Sequence, residues 1–134
     1  MGRILAIDYG LKRTGLAVSD PLRIIAGALD TVATHTLMDY LKQYLSKNDV
    51  STIVVGQPKQ TNGAMSESWR AIEPFVNRLR KEFPQVEVVL YDERFTSVLA
   101  HRTMLKSGIG RMARRDKALV DRISATIILQ DYMQ

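Results

Sequence analysis

The chain has 134 residues, 46% of them apolar, a formal net charge of +5 and no cysteine. That length suits one domain over residues 1–134, since halving it would leave neither part a core of its own. Without cysteine, disulfides, thiolate catalysis and cysteine zinc sites are excluded; with His35 and His101 the only histidines, a bound metal would need carboxylate oxygens, which favours magnesium or manganese.

Three short apolar runs open the chain. Arg3 to Tyr9 is nearly continuous, as in a central strand buried on both faces. Gly10-Leu11-Lys12-Arg13 makes a turn, Thr14 to Ser19 reads as a second strand, Asp20-Pro21-Leu22 breaks it, and Ile24 to Thr31 reads as a third. The runs are close enough for an antiparallel meander. Leu37, Leu41, Tyr44 and Leu45 then follow helical spacing, giving a helix over Thr36 to Lys47. Ser51 to Gly56 is a β-branched strand, Gln57 to Met65 a polar loop, and Ser66 to Phe83 a helix with Trp69, Ile72, Phe75, Val76 and Leu79 inward. Pro84 ends that helix, Val86 to Tyr91 forms a fifth strand, and Thr96 can cap a helix running to about Lys106. Gly108 and Gly110 mark a basic loop before a last helix over Asp116 to Met133. Alternating strands and helices after a meander predict an α/β fold: one five-stranded mixed sheet, with two parallel strands beside the antiparallel three, flanked by helices.

Carboxylates on strands and apolar helix faces cost free energy unless compensated. Asp8 stands at the end of the most apolar strand, and Asp92-Glu93 follow Val88-Val89-Leu90-Tyr91. Asp121 shares a helical stripe with Ala118, Ala125, Ile128 and Tyr132, which turns it toward the sheet. The carboxyl ends of parallel strands share one sheet edge, the usual ligand site of open α/β sheets. Carboxylates gathered there would repel, and a hard divalent cation is the natural remedy. Two such cations about 3.5–4 Å apart can activate water and stabilise a leaving oxygen in phosphodiester hydrolysis. Each acid also admits a plain reading: Asp8 could accept amide bonds from the Gly10 turn, Asp92-Glu93 could pair with Arg94, and Asp121 with Lys117 or Arg122.

The positive charge is concentrated. Arg102, Lys106, Arg111, Arg114, Arg115, Lys117 and Arg122 lie in one stretch against Asp116 and Asp121, which suits a polyanion or simply a solvated surface. Arg13, from the first turn, can reach a phosphate, and Lys117 can neutralise substrate charge near Asp121. The loop Gly56-Gln57-Pro58-Lys59-Gln60-Thr61-Asn62-Gly63 lacks the Gly-Lys-Ser/Thr ending of a nucleotide-binding phosphate loop. No run approaches the roughly 18 apolar residues of a membrane span, and Arg3-Ile4-Leu5-Ala6-Ile7-Asp8 is too short for a signal peptide. A cytoplasmic protein without a membrane partner is expected.

Asp8-Tyr9-Gly10-Leu11-Lys12-Arg13-Thr14-Gly15-Leu16-Ala17 resembles the opening motif of the YqgF/RuvX family of RNase H-like nucleases. Val55-Gly56-Gln57-Pro58 with Asn62-Gly63 is similar to its second block, Asp92-Glu93-Arg94-Phe95-Thr96-Ser97 with Ala100 to its third, and Lys117-Ala118-Leu119-Val120-Asp121 with Ser124-Ala125 and Ile128-Leu129 to its last. The blocks run in order over essentially the whole chain. Gln57 departs from the leucine usual there and leaves the acidic set intact. The resemblance implies an RNase H-like fold, a bacterial cytoplasmic protein, and Asp8, Glu93 and Asp121 as catalytic metal ligands, with Glu93 preferred to Asp92. The family is described both as a Holliday junction resolvase and as a nuclease maturing the 5′ end of pre-16S rRNA.

The sequence therefore predicts a Mg2+- or Mn2+-dependent endonuclease acting on structured nucleic acid, an rRNA precursor ahead of branched DNA. Arg13, Lys106, Arg111, Arg114, Arg115 and Lys117 are expected to contact phosphates. A processing nuclease can act as a monomer, whereas a resolvase should present two sites on a symmetric homodimer. A binding module without hydrolysis and a fragment of an actin-like ATPase are the rivals. The intact acidic trio opposes the first, and the lack of a second domain opposes the second.

Overall fold

The computed structural model describes residues 2–57, 69–92 and 117–134, the backbone alone for 117–120. The strands are β1 (Arg3–Asp8), β2 (Arg13–Ser19), β3 (Ala26–Ala33), β4 (Val50–Gln57) and β5 (Glu87–Asp92); the helices are α1 (Leu37–Lys47), α2 (Trp69–Glu82) and α3 (Lys117–Met133). A 3-10 turn, Thr34–Thr36, leads into α1. The expected helix from Thr96 to Lys106 and the basic glycine-bearing loop lie outside the described residues, as does the start of the helix expected from Ser66.

The strands form one sheet in the order β3-β2-β1-β4-β5. β1 pairs antiparallel with β2 and β2 with β3, while β4 runs parallel to both β1 and β5. The opening meander and the two parallel strands stand as expected, with β1 at the centre. This is the five-stranded mixed α/β sheet that the sequence predicts.

Strand alternation divides the core in two. Leu5 and Ile7 of β1, Leu16 of β2, and Ile53 and Val55 of β4 pack with Leu37 and Leu41 of α1 and with Ile72, Val76 and Leu79 of α2. On the other face Ile4 and Ala6 of β1, Ala17 of β2 and Val54 of β4 pack with Ala125, Ile127, Ile128 and Leu129 of α3. Leu5, Ile7, Leu16, Leu41, Ile53 and Leu79 are wholly buried, each worth roughly 1.5–3 kcal/mol relative to exposure.

The third strand starts later than its apolar pattern predicts, at Ala26 rather than Ile24. The Asp20 carboxylate accepts hydrogen bonds from the amides of Ile24 (2.7 Å), Ile25 (2.8 Å) and Leu22 (3.3 Å), which wraps this stretch into a turn. Those amides, that of Ile25 foremost, hold the Asp20 carboxyl below its ordinary value. Arg23 takes a left-handed φ of 59°, and its guanidinium bonds Gly2 O and Ser51 Oγ. Ile24 and Ile25 are thereby left exposed. A bulge at Leu29 then lets β3 continue to Ala33.

Candidate active site at the carboxyl edge of the sheet

β1 delivers Asp8 to the end of the central strand. Ile4 and Ala6 face α3, so alternation puts Asp8 on that face too. Its Cα partner across the antiparallel pair is Gly15. The α3 backbone rests directly on Gly15: a Cβ added there would fall 2.0 Å from Asp121 O and 2.4 Å from Asp121 C. No side chain fits in that gap. Directly opposed antiparallel residues have Cα atoms about 4.5–5.5 Å apart, so this glycine carries the last helix to the neighbourhood of Asp8.

Asp121 is partly buried, its side chain 23% exposed, and its Oδ2 accepts a hydrogen bond from Arg13 Nε at 2.9 Å. Arg13 shares the alternation of Gly15 and Ala17, which brings its guanidinium to the α3 side. Asp121, for which the sequence left Lys117 or Arg122 open as partners, makes a salt bridge with an arginine 108 positions away, and the Lys117 side chain lies outside the described residues. Arg13, expected on a phosphate, here offsets the charge of an acid. The pair uses Oδ2 and leaves Oδ1 outside it.

Asp92 closes β5 opposite Gln57. Val88 and Leu90 pack on the α1–α2 side, whereas Tyr91 joins the α3 side, its ring edge-on to Tyr132 at 6.1 Å. By alternation Asp92 belongs with Val88 and Leu90, on the face away from Asp8. Glu93, Lys106, Arg111, Arg114 and Arg115 lie outside the described residues, and so does the side chain of Lys117. Among the described residues no three metal-ligating side chains gather; Asp8 and the Asp121 backbone both neighbour Gly15. The side-chain donors of both acids are carboxylate oxygens, hard ligands that suit magnesium or manganese.

Two features of this edge escape a reading for acids. Gly15 is one, and its signal is visible in the sequence: a lone glycine inside an apolar strand marks close backbone approach. The other is a cavity across the sheet edge from Asp8, lined by Tyr9, Leu11, Thr34, His35, Phe75 and Arg78 among others. It is assembled from three separated segments, so no local pattern announces it.

Comparison with known proteins gives the family. A protein of Porphyromonas gingivalis named "Putative pre-16S rRNA nuclease" is 58% identical over 133 residues, covering 99% of this chain and 96% of its own. Proteins of the same name from Phocaeicola vulgatus, 58% identical over 134 residues, and Flavobacterium johnsoniae, 53% identical over 133, cover 100% and 99% of this chain and 96% of their own. Residues 2–134 match the family described as RuvX, Holliday junction resolvase. With its acidic strand end, its glycine seat for the last helix and this match along its length, the chain belongs to the RuvX family.

Proposed function

We propose that the chain is a magnesium-dependent endonuclease that hydrolyses phosphodiester bonds in structured nucleic acid, and that its reaction is 5′-end processing of pre-16S rRNA in the cytoplasm. The observation that supports this is that Gly15, the Cα partner of Asp8, seats the Asp121 backbone at the carboxyl edge of the sheet. The relatives' shared name supports the substrate.

Asp8 and Asp121 would hold the metal with Glu93 as the third ligand, a choice supported by the assignment of Asp92 to the opposite face. When bound, the ion supplies Lewis-acid stabilisation of the phosphate and a more acidic water. The protein's part is positional. Arg13 offsets one carboxylate charge while substrate is absent, and its side chain is 41% exposed, open to an incoming phosphate. Lys117 and the basic residues Lys106, Arg111, Arg114 and Arg115 would hold the flanking backbone.

The test compares cleavage of a labelled 16S rRNA precursor with cleavage of a four-way DNA junction, each with magnesium and with chelator. The expected result is magnesium-dependent cleavage of the precursor, reduced more than about a hundredfold by Asp8→Asn. The family description favours a second reading, junction resolution. Symmetric cleavage of the junction by a dimer, with the precursor untouched, would establish that one instead. Binding of either polymer with no cleavage at all would make the chain a nucleic-acid-binding module.

A further inference from the structure

We infer that the cavity across the sheet edge from Asp8 is a subsite for one unpaired nucleobase beside the cleaved phosphodiester, an inference that rests on the nuclease reading for its ligand. The cavity, about 390 Å³, is lined by Tyr9, Leu11, His35, Pro74, Phe75 and Arg78 among others. That size lies within the range of small-molecule sites.

Its position follows from strand geometry. Tyr9 succeeds Asp8, so their Cα atoms are about 3.8 Å apart while their side chains go to opposite faces. Tyr9 packs with the α1–α2 core and stacks on Phe75 at 4.7 Å between centroids, 30° from parallel. A strand whose phosphate sits over Asp8 could therefore turn its neighbouring base across the edge toward this aromatic pair.

The walls are preformed. Thr34 Oγ1 donates to Gly10 O at 2.6 Å, and Thr34 N donates to Lys12 O at 2.9 Å, tying the β1–β2 turn to the start of α1. A Cβ on Gly10 would fall 2.2 Å from Arg13 O, so the turn is as tight as a glycine permits.

The chemistry of the rim fits a nucleotide better than a purely apolar guest. Leu11 is 76% exposed and forms an apolar lip. Exposed His35 and Arg78 stand at the cavity, and neither is in an ion pair among the described residues. The combination is an aromatic floor for a base with an imidazole and the cationic Arg78 as donors for its phosphate. A paired base is held in its stack, so an unpaired nucleotide is the ligand that can enter.

The test measures binding of the full chain carrying Asp8→Asn, with metal withheld. The probes are single-stranded rA6, dA6 and an abasic backbone of equal length and charge. The base-bearing probes should bind about tenfold more tightly than the abasic one. Tyr9→Leu, which keeps apolar contact with Phe75, should erase that advantage, and Tyr9→Phe should preserve it. Arg78→Ala should lower the slope of log affinity against log salt by about 0.7. Preference for rA6 over dA6 would assign an RNA guest, and equality an unpaired nucleotide of either sugar. Equal binding of the abasic probe, or an advantage that survives Tyr9→Leu in a folded variant, would overturn the subsite. Should Tyr9→Leu not fold, the abasic comparison, Tyr9→Phe and Arg78→Ala decide. A subsite that fails while magnesium-dependent cleavage stands leaves the nuclease reading intact, and the reverse outcome leaves the subsite.

Discussion

The two faces of the sheet are built to different specifications. Under α1 and α2 the strands present Leu5, Ile7, Leu16, Ile53 and Val55, bulky side chains that hold the helices off and fill the space between. Under α3, beside Ile4 and Val54, they present Ala6, Ala17 and Gly15, and over the glycine the helix comes down until its backbone touches a strand. The first face gains stability from volume. The second gives up volume for proximity, and the acids are on that side. Close packing here brings a helical carboxylate to a strand-borne one.

That contrast can be broken from either side. The largest stability loss is expected from Leu41→Ala on the bulky face, about 2–5 kcal/mol in chemical denaturation, with cleavage per folded molecule unchanged. If activity fell with stability, the division of labour would be wrong. Gly15→Ala should cost less stability, about 1–3 kcal/mol from overpacking, yet remove most cleavage, because the new methyl meets Asp121 backbone that must move. Unimpaired cleavage by Gly15→Ala would show that the seat is not needed. Arg13→Gln should change stability by no more than about 1 kcal/mol, since the pair is partly exposed, while raising KM for nucleic acid. An unchanged KM would confine Arg13 to its bond with Asp121.

The smallest effect belongs to Asp20, far from the edge. Its folded carboxyl is more acidic than the ordinary value of 3.8, so its contribution is present above that pH and lost as pH falls through the lower folded value. Asp20→Asn should therefore lower the unfolding midpoint slightly at neutral pH and converge with the parent in strong acid. A gap that widened in acid would contradict the amide cage.

The fold was legible because its signals are local. β1 and β4 read as apolar strands from continuous runs of Ile, Leu and Val, and the Leu37-Leu41-Tyr44-Leu45 spacing marks α1. Where a side chain overrode the pattern the reading slipped: Ile24 and Ile25 look like strand, but the Asp20 carboxylate takes their amides. The acids were legible as misfits among apolar neighbours. The bond between Arg13 and Asp121 was not, because it depends on how α3 lands on β2, which a single glycine sets.

Arg13 and Asp121 are separated by 108 positions along the polypeptide, so the proposed metal site can form only while the last helix is docked on the opening strands. Detachment of α3 would uncover the small second core and disperse the acids in one event, leaving the larger core with its own helices. With the proposed site, hydrolytic competence would be tied to completed folding, and a half-made or frayed molecule would not cut.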